Sequence, residues 1–265
     1  MSVFSRLRAA GFSALVLACA ASAQAALISV TQNSVPNLDP IPPQIEATPL
    51  GEESFAFVDR NHELTSARYD PVTGLLTTSM SGTLVGFPSY LIGAQYVANA
   101  NDNRAAGTSV AQNDYLVTYT VDQISIAYLL LDNRLDGTAG NWNKTNTTDP
   151  ILTGNLAWVV NDGWIRVNTG IMPNGQADYI GIDEGTTVSG PSARTPHDPG
   201  PGVSLNQFYA IYAKVVNGTF TTGGVKVQAT GGGNMYVVAV VPVPEPATIS
   251  LLALGSLGLL ARRRK

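Results

Sequence analysis

Between Tyr115 and Leu131 the chain spells out two successive strands, and this stretch most constrains the fold. Tyr115, Val117, Tyr119 and Val121 alternate with Leu116, Thr118, Thr120 and Asp122, the period-two pattern of a strand with one buried face. Ile124 to Leu131 follows almost without polarity, as in a central strand covered on both faces. Asp132-Asn133 and Asp136-Gly137 then supply turn residues. Farther on, Lys214-Val215-Val216, Asn217-Gly218 and Thr219-Phe220-Thr221 read as a two-residue hairpin, because Asn and Gly tolerate the positive φ such turns need. Val225, Val227 and Ala229 alternate with Lys226 and Gln228, and Met235 to Val241 makes a last apolar strand. No stretch of the body sustains a helical stripe. Many strands with Greek-key-sized gaps predict an all-β fold, a single β-sandwich of jelly-roll type over residues 52–241.

Ahead of that body, Val35 to Leu50 carries Pro36, Pro40, Pro42, Pro43 and Pro49 without periodicity, so residues 26–51 are expected to be an extended Pro-rich linker. Residues 1–25 have the layout of a signal peptide. Arg6 and Arg8 form a charged start, Gly11 to Ala21 an apolar run, and Ala23-Gln24-Ala25 the small-residue site that predicts cleavage before Ala26. Val16-Leu17-Ala18-Cys19 loosely resembles a lipoprotein cleavage box, but Leu17 fits it poorly and the downstream site competes. Cys19 is the only cysteine, so a chain cleaved before Ala26 holds no disulfide and no thiolate metal site.

At the other end Pro244-Glu245-Pro246 precedes an apolar run, Ala247 to Ala261, and then Arg262-Arg263-Arg264-Lys265. The prolines stop the preceding strand, having no amide hydrogen to offer. Fifteen residues at ~1.5 Å each reach only about 22 Å as a helix, a marginal span for ~30 Å of hydrocarbon. Gly255 and Gly258 weaken that helix further. The four cations should stay in the cytoplasm with the body outside. This tripartite ending resembles the PEP-CTERM sorting signal read by exosortases in bacteria that make extracellular polysaccharide. The resemblance covers residues 242–265 and implies an exosortase-type processing enzyme as partner, transient inner-membrane anchoring, and a final place at the cell surface or in the extracellular matrix. The alternative is an ordinary tail anchor with an accidental proline pair.

Charge narrows the partners. Six of the fifteen basic residues lie in the two terminal signals, leaving nine against eighteen or nineteen acidic ones. A body of that sign repels phosphate backbones, which excludes nucleic acid as a partner.

Catalytic motifs are scarce. His62 and His197 are the only histidines, both in polar, turn-rich settings that predict solvated loops. There is no Gly-x-Ser-x-Gly elbow and no His-Glu-x-x-His. Asp183-Glu184, an adjacent acidic pair in the body, is flanked by Gly181 and Gly185 as in a turn. A non-enzymatic protein without cofactor or metal is expected. Asp132-Asn133-Arg134-Leu135-Asp136-Gly137 spaces oxygens as calcium loops do, but Arg134 stands at a ligand position and no EF-hand glutamate follows, so an Asx-rich turn is favoured.

Trp142, Trp158 and Trp164 fall close together, and sugars stack on such rings. Asn161-Asp162-Gly163 looks like a hairpin. The preferred two-residue loop puts Trp158, Val160, Ile165 and Val167 on the core face and leaves Trp164, with Trp142, as candidate sugar-stacking residues; a bulged three-residue loop puts both strand tryptophans on one face, and the favoured reading of all three rings is simple packing. Phe57-Val58-Asp59-Arg60, Tyr128 to Arg134, Trp142, and Gly218-Thr219-Phe220 with Gly223-Gly224 resemble small jelly-roll modules of bacterial secreted and carbohydrate-active proteins, which implies the fold more than a ligand. Three readings follow: a structural or adhesive matrix protein, a carbohydrate-binding module acting on exopolysaccharide, and a secreted hydrolase.

Overall fold

The computed structural model describes residues 27–107, 114–138, 147–185, 194–196, 200–226 and 233–243. Its strands, in chain order, are β1 (Leu27–Gln32), β2 (Gln44–Ile45), β3 (Ser54–Phe55), β4 (Glu63–Thr65), β5 (Ala67–Tyr69), β6 (Thr83–Gly86) and β7 (Gln95–Ala98). They continue as β8 (Leu116–Val121), β9 (Ser125–Asp132), β10 (Ile165–Arg166), β11 (Tyr179–Asp183), β12 (Leu205–Val216), β13 (Thr219–Gly223) and β14 (Val237–Pro242). A single α-helix, α1 (Ala157–Asn161), is joined by short 3-10 turns among the described residues. The described chain is thus mostly β, as its periodicity leads one to expect.

The largest sheet runs β2-β7-β14-β9-β12-β11-β4-β3, with β10 also on β12; β1-β8-β13 and β5-β6 form two smaller ones. Every pairing between these strands is antiparallel. Strand β9 occupies the middle, paired with β12 from Ser125↔Val216 to Asp132↔Tyr209 and with β14 on its other edge. Leu129, Leu130 and Leu131 are fully buried there. Each such side chain contributes about 1.5–3 kcal/mol relative to exposure.

Strand β8 keeps the alternation read from its sequence: Val117, Tyr119 and Val121 are buried and Leu116 is exposed. Tyr119 stacks on Phe220 of β13 with ring centroids 5.0 Å apart. Thr222 Oγ1 lies 2.6 Å from the Tyr236 hydroxyl and donates to that of Tyr119 at 3.4 Å, tying the three-stranded sheet to the residues that lead into β14. Burial lifts both phenols well above their ordinary range, so they remain neutral hydrogen-bonding groups.

Two expectations are corrected. Residues 26–51 are not a free linker from Leu27 onward: β1 lies on β8, β2 lies on β7, and Leu27 and Leu50 are buried. Val35, Leu38, Ile41 and Ile45 also pack on the core. The prolines deny this stretch a long ladder, but the apolar residues spaced between them still bury. Asn217-Gly218 does not close a hairpin either. β12 pairs with β9, β10 and β11, whereas β13 pairs with β8, so the two residues form a corner where the chain changes sheets. Gly218 takes the positive φ (73°) expected of it, and its carbonyl accepts the Val121 amide at 2.9 Å. Burying Phe220 against Tyr119 outweighs continuing in the plane of β12.

Because Cys19 is the only cysteine, thermal unfolding of the body should follow the same curve with and without reductant. A midpoint lowered by reductant would mean that the leader, with Cys19, had been retained and had formed a disulfide between two chains.

Candidate functional site

The residues predicted to carry sorting and processing, Ala23, Ala25, Ala26, Pro244, Glu245, Pro246, Arg262, Arg263, Arg264 and Lys265, lie outside the described residues, as do Trp142 and His197. Val243, the last described residue before them, is hydrogen-bonded through its amide to Ile124 O at 3.0 Å. The sorting segment therefore begins directly at the end of a core strand. Among the described residues no helix is long and apolar enough to cross a membrane.

The strand register assigned to the tryptophans is corrected. Residues 157–161 form α1 rather than a strand, closed by Gly163 at φ 81°. The Trp164 amide donates to Val159 O and the Gly163 amide to Val160 O, each at 3.0 Å, the paired bonds of a Schellman cap. That cap turns Trp164 into the core, 4% exposed, with its ring edge-on to Phe220 at 6.4 Å. Trp164 cannot offer a stacking surface.

Trp158, assigned to the core by sequence, packs against the core while half-buried and also lines an open groove of about 840 Å³. Its ring is set from behind: the indole Nε1–H donates to Gly224 O at 3.1 Å, and Tyr236 meets it edge-on at 5.9 Å. A Cβ at Gly223 would lie 2.7 Å from Trp158 Cδ1, so only glycine leaves room for the indole. Asn155, Asn161, Asp162, Thr138 and Thr221 also line the groove. Asn155 is held by donating to Val225 O at 2.7 Å and Lys226 O at 3.2 Å. An aromatic wall beside amides, hydroxyls and one carboxylate, with no Lys or Arg in the lining, suits a neutral polyhydroxylated ligand better than an anion. The clustering of tryptophans was the sole sequence signal for it.

Several carboxylates away from the groove are engaged internally. Asp132 receives Arg134 Nη2 at 2.7 Å, Arg134 Nε at 3.0 Å and the Asn234 amide at 2.9 Å, while Asp136 Oδ1 accepts the Thr138 amide at 2.9 Å. These are the bonds of an Asx-rich turn locked by an arginine. Asp39, Asp59 and Asp102 have carboxylate oxygens within 4.8 Å of one another. Arg60 reaches Asp59 at 3.0 Å and Asp102 at 2.6 Å, and Arg104 reaches Asp102 at 2.7 Å. Burial pushes the Asp59 carboxyl above its usual range. Burial acts the same way on Asp102, but hydrogen bonds and charge from Arg60 and Arg104 outweigh it and hold that carboxyl lower. The group ties Asp39, in the proline-rich segment, to the body: the Asp39 amide donates to Asn103 Oδ1 at 2.8 Å. His62 is not a solvated loop residue; it is buried edge-on against Phe57 at 5.5 Å, because the 56–62 turn folds inward.

No curated protein sequence matches the chain. One solved structure resembles it, titled "The structure of a beta-glucuronidase from glycoside hydrolase family 2", with a TM-score of 0.42 and 12% identity over 80% of this chain and 14% of that one. At that level the likeness bears on neither activity nor ligand, and this chain spans about a seventh of that protein's length. Residues 242–265 match the PEP-CTERM protein-sorting motif, and the chain thereby carries at its C-terminal end a PEP-CTERM sorting signal, which implies export, a transient membrane-anchored state and processing by an exosortase-type enzyme.

Proposed function

We propose that this chain is a cell-surface or extracellular-matrix protein with a structural or adhesive, non-enzymatic role, its body a jelly-roll β-sandwich delivered outside by the sorting tail. The observation that carries this reading is the motif at residues 242–265 at the end of a β-rich body. It is supported by the way buried acids such as Asp132 and Asp59 are engaged by arginines and backbone amides rather than aimed into a cleft. A function must be argued from a site, and paired groups of that kind serve architecture. Localising the protein in the exporting host, with and without its sorting enzyme, tests it. Accumulation at the cell surface or in the matrix only when the enzyme is present supports the reading, and turnover of any glycan or peptide substrate by the purified body contradicts the non-enzymatic part.

The groove walled by Trp158 favours a second reading, capture of the host's own exopolysaccharide. Retention of the body on that polymer should fall about tenfold or more on replacing Trp158 with Ala, a loss of roughly 1.4 kcal/mol or more. Asn161→Ala, on the exposed rim, should weaken it without unfolding the protein. Equal retention of both variants and the parent would remove the groove as the binding site.

A further inference from the structure

The start of β9 and the ends of β12 and β14 lie together at the edge where the chain leaves for its tail, since Ser125 pairs with both Val216 and Pro242. Directly paired residues of an antiparallel ladder share a face, as do residues two apart along a strand. The register therefore sets Val215, Ile126 and Val241 in one row across three strands, and Ala213 beside Ile165 in the next. On that same face Ile211, Leu130 and Val237, in the row beyond Ala213, are 0% exposed. At the tail end the cover gives out around Val215 and Ile165, while Tyr128 and Ala239 in the Ala213 row stay buried. Val215 is 68% exposed and Ile165 72%, while Ile126, Ala213 and Val241 are half-buried. Ile124, 51% exposed, adjoins this end and accepts the Val243 amide. Clustered apolar side chains of this kind mark a surface that meets another apolar phase.

The length of the connector identifies that phase. Only Pro244, Glu245 and Pro246 separate Val243 from Ala247, where the apolar run of the sorting motif begins. At no more than 3.3–3.6 Å per residue, that connector reaches at most about 14 Å. The headgroup layer itself is about 5–8 Å deep, so an anchored body cannot stand clear of the bilayer. We propose that Ile124, Ile126, Ile165, Ala213, Val215 and Val241 form a membrane-resting face that seats the body on the outer surface of the inner membrane while the tail is in place. The inference rests on the tail's anchoring role. Its consequence is orientational: contact through this face holds Pro244-Glu245-Pro246 at the interface and limits rotation of the body about its tether. The rows contain no charged residue, so the contact depends on apolar burial and should survive salt that screens surface charge.

The test uses the anchored precursor, recovered from cells that lack the sorting enzyme and reconstituted in phosphatidylcholine vesicles. With Cys19→Ser as background, a polarity-sensitive dye is attached at Val215→Cys, at Ile165→Cys, or at Val72→Cys in the β5–β6 connection, where the native residue is 91% exposed. The dyes at 215 and 165 should emit at shorter wavelength and be quenched by nitroxide-labelled lipid, in low and high salt alike, while the dye at 72 stays water-like. A chain ending at Val243 should show water-like emission at all three positions. Equal emission at 215, 165 and 72 in vesicles overturns the proposal. Shielding of 215 in the tail-less body, rising with protein concentration, also overturns it and assigns the face to a second copy. Flotation with the vesicles reports the anchor separately: a precursor that fails to float removes the anchoring role and the proposal together, whereas one that floats with a water-exposed 215 removes the face alone.

Discussion

Replacing Arg262, Arg263, Arg264 and Lys265 with serine is expected to let the protein pass through the membrane with its tail uncut. Each cation costs roughly 2.5–3.5 kcal/mol at the bilayer centre on insertion scales, so four in succession are a firm stop. The apolar run ahead of them is only fifteen residues long and contains Gly255 and Gly258, so without the cations little remains to halt it. Replacing Pro244 and Pro246 with alanine should act differently. The stop remains, the body stays outside, and the recognition element is lost, so full-length protein should build up at the inner membrane. Fractionation with immunoblotting separates the two outcomes by place and size. The serine variant should appear in the medium at precursor length; the alanine variant should appear in the inner-membrane fraction at that same length. A serine variant that is processed and distributed like the parent would mean that the cations have no stopping role.

The second large effect is on stability. Asp132 sits at the end of β9 with 0% exposure, and its two oxygens serve the Arg134 guanidinium, the Arg134 amide and the Asn234 amide. Asp132→Ala removes the carboxylate shared by a mostly buried guanidinium and two backbone amides. Breaking a buried pair from one side typically costs about 3–5 kcal/mol, against a total of about 5–15 kcal/mol for a domain. Urea denaturation should show a midpoint lowered by a large fraction, with a smaller loss for Asp132→Asn, which keeps the shape and one acceptor. A loss under about 1 kcal/mol in the alanine variant would mean that the turn is held by its backbone alone.

How much of this was legible in the sequence depended on whether local pattern or distant packing decided the outcome. The alternation in β8 and the unbroken apolar run of β9 were readable because strand period and burial are written in the same residues. The corner at Asn217-Gly218 was not, since the turn chemistry of a hairpin and of a sheet-to-sheet corner is the same. Only the distant stack of Phe220 on Tyr119 separates them. The helix at Ala157–Asn161 was missed because Val159 and Val160 favour strands, although Gly163 just beyond it is an ordinary helix-closing residue. That one misreading left Trp164 on the surface and hid the groove beside Trp158. Proline content likewise hid the fact that Val35, Leu38, Ile41 and Ile45 pack on the core. At the tail the sequence was sufficient by itself, because proline pair, apolar run and cations are a linear signal that requires no fold.

Whether this body is exported and released from its own tail is read from the intact mass of the protein recovered from the cell surface or medium. The expected chain begins at Ala26 and has lost the apolar run and basic tail, residues 247–265. A mass that extends through Lys265, or one that carries acyl chains on Cys19, would contradict that expectation.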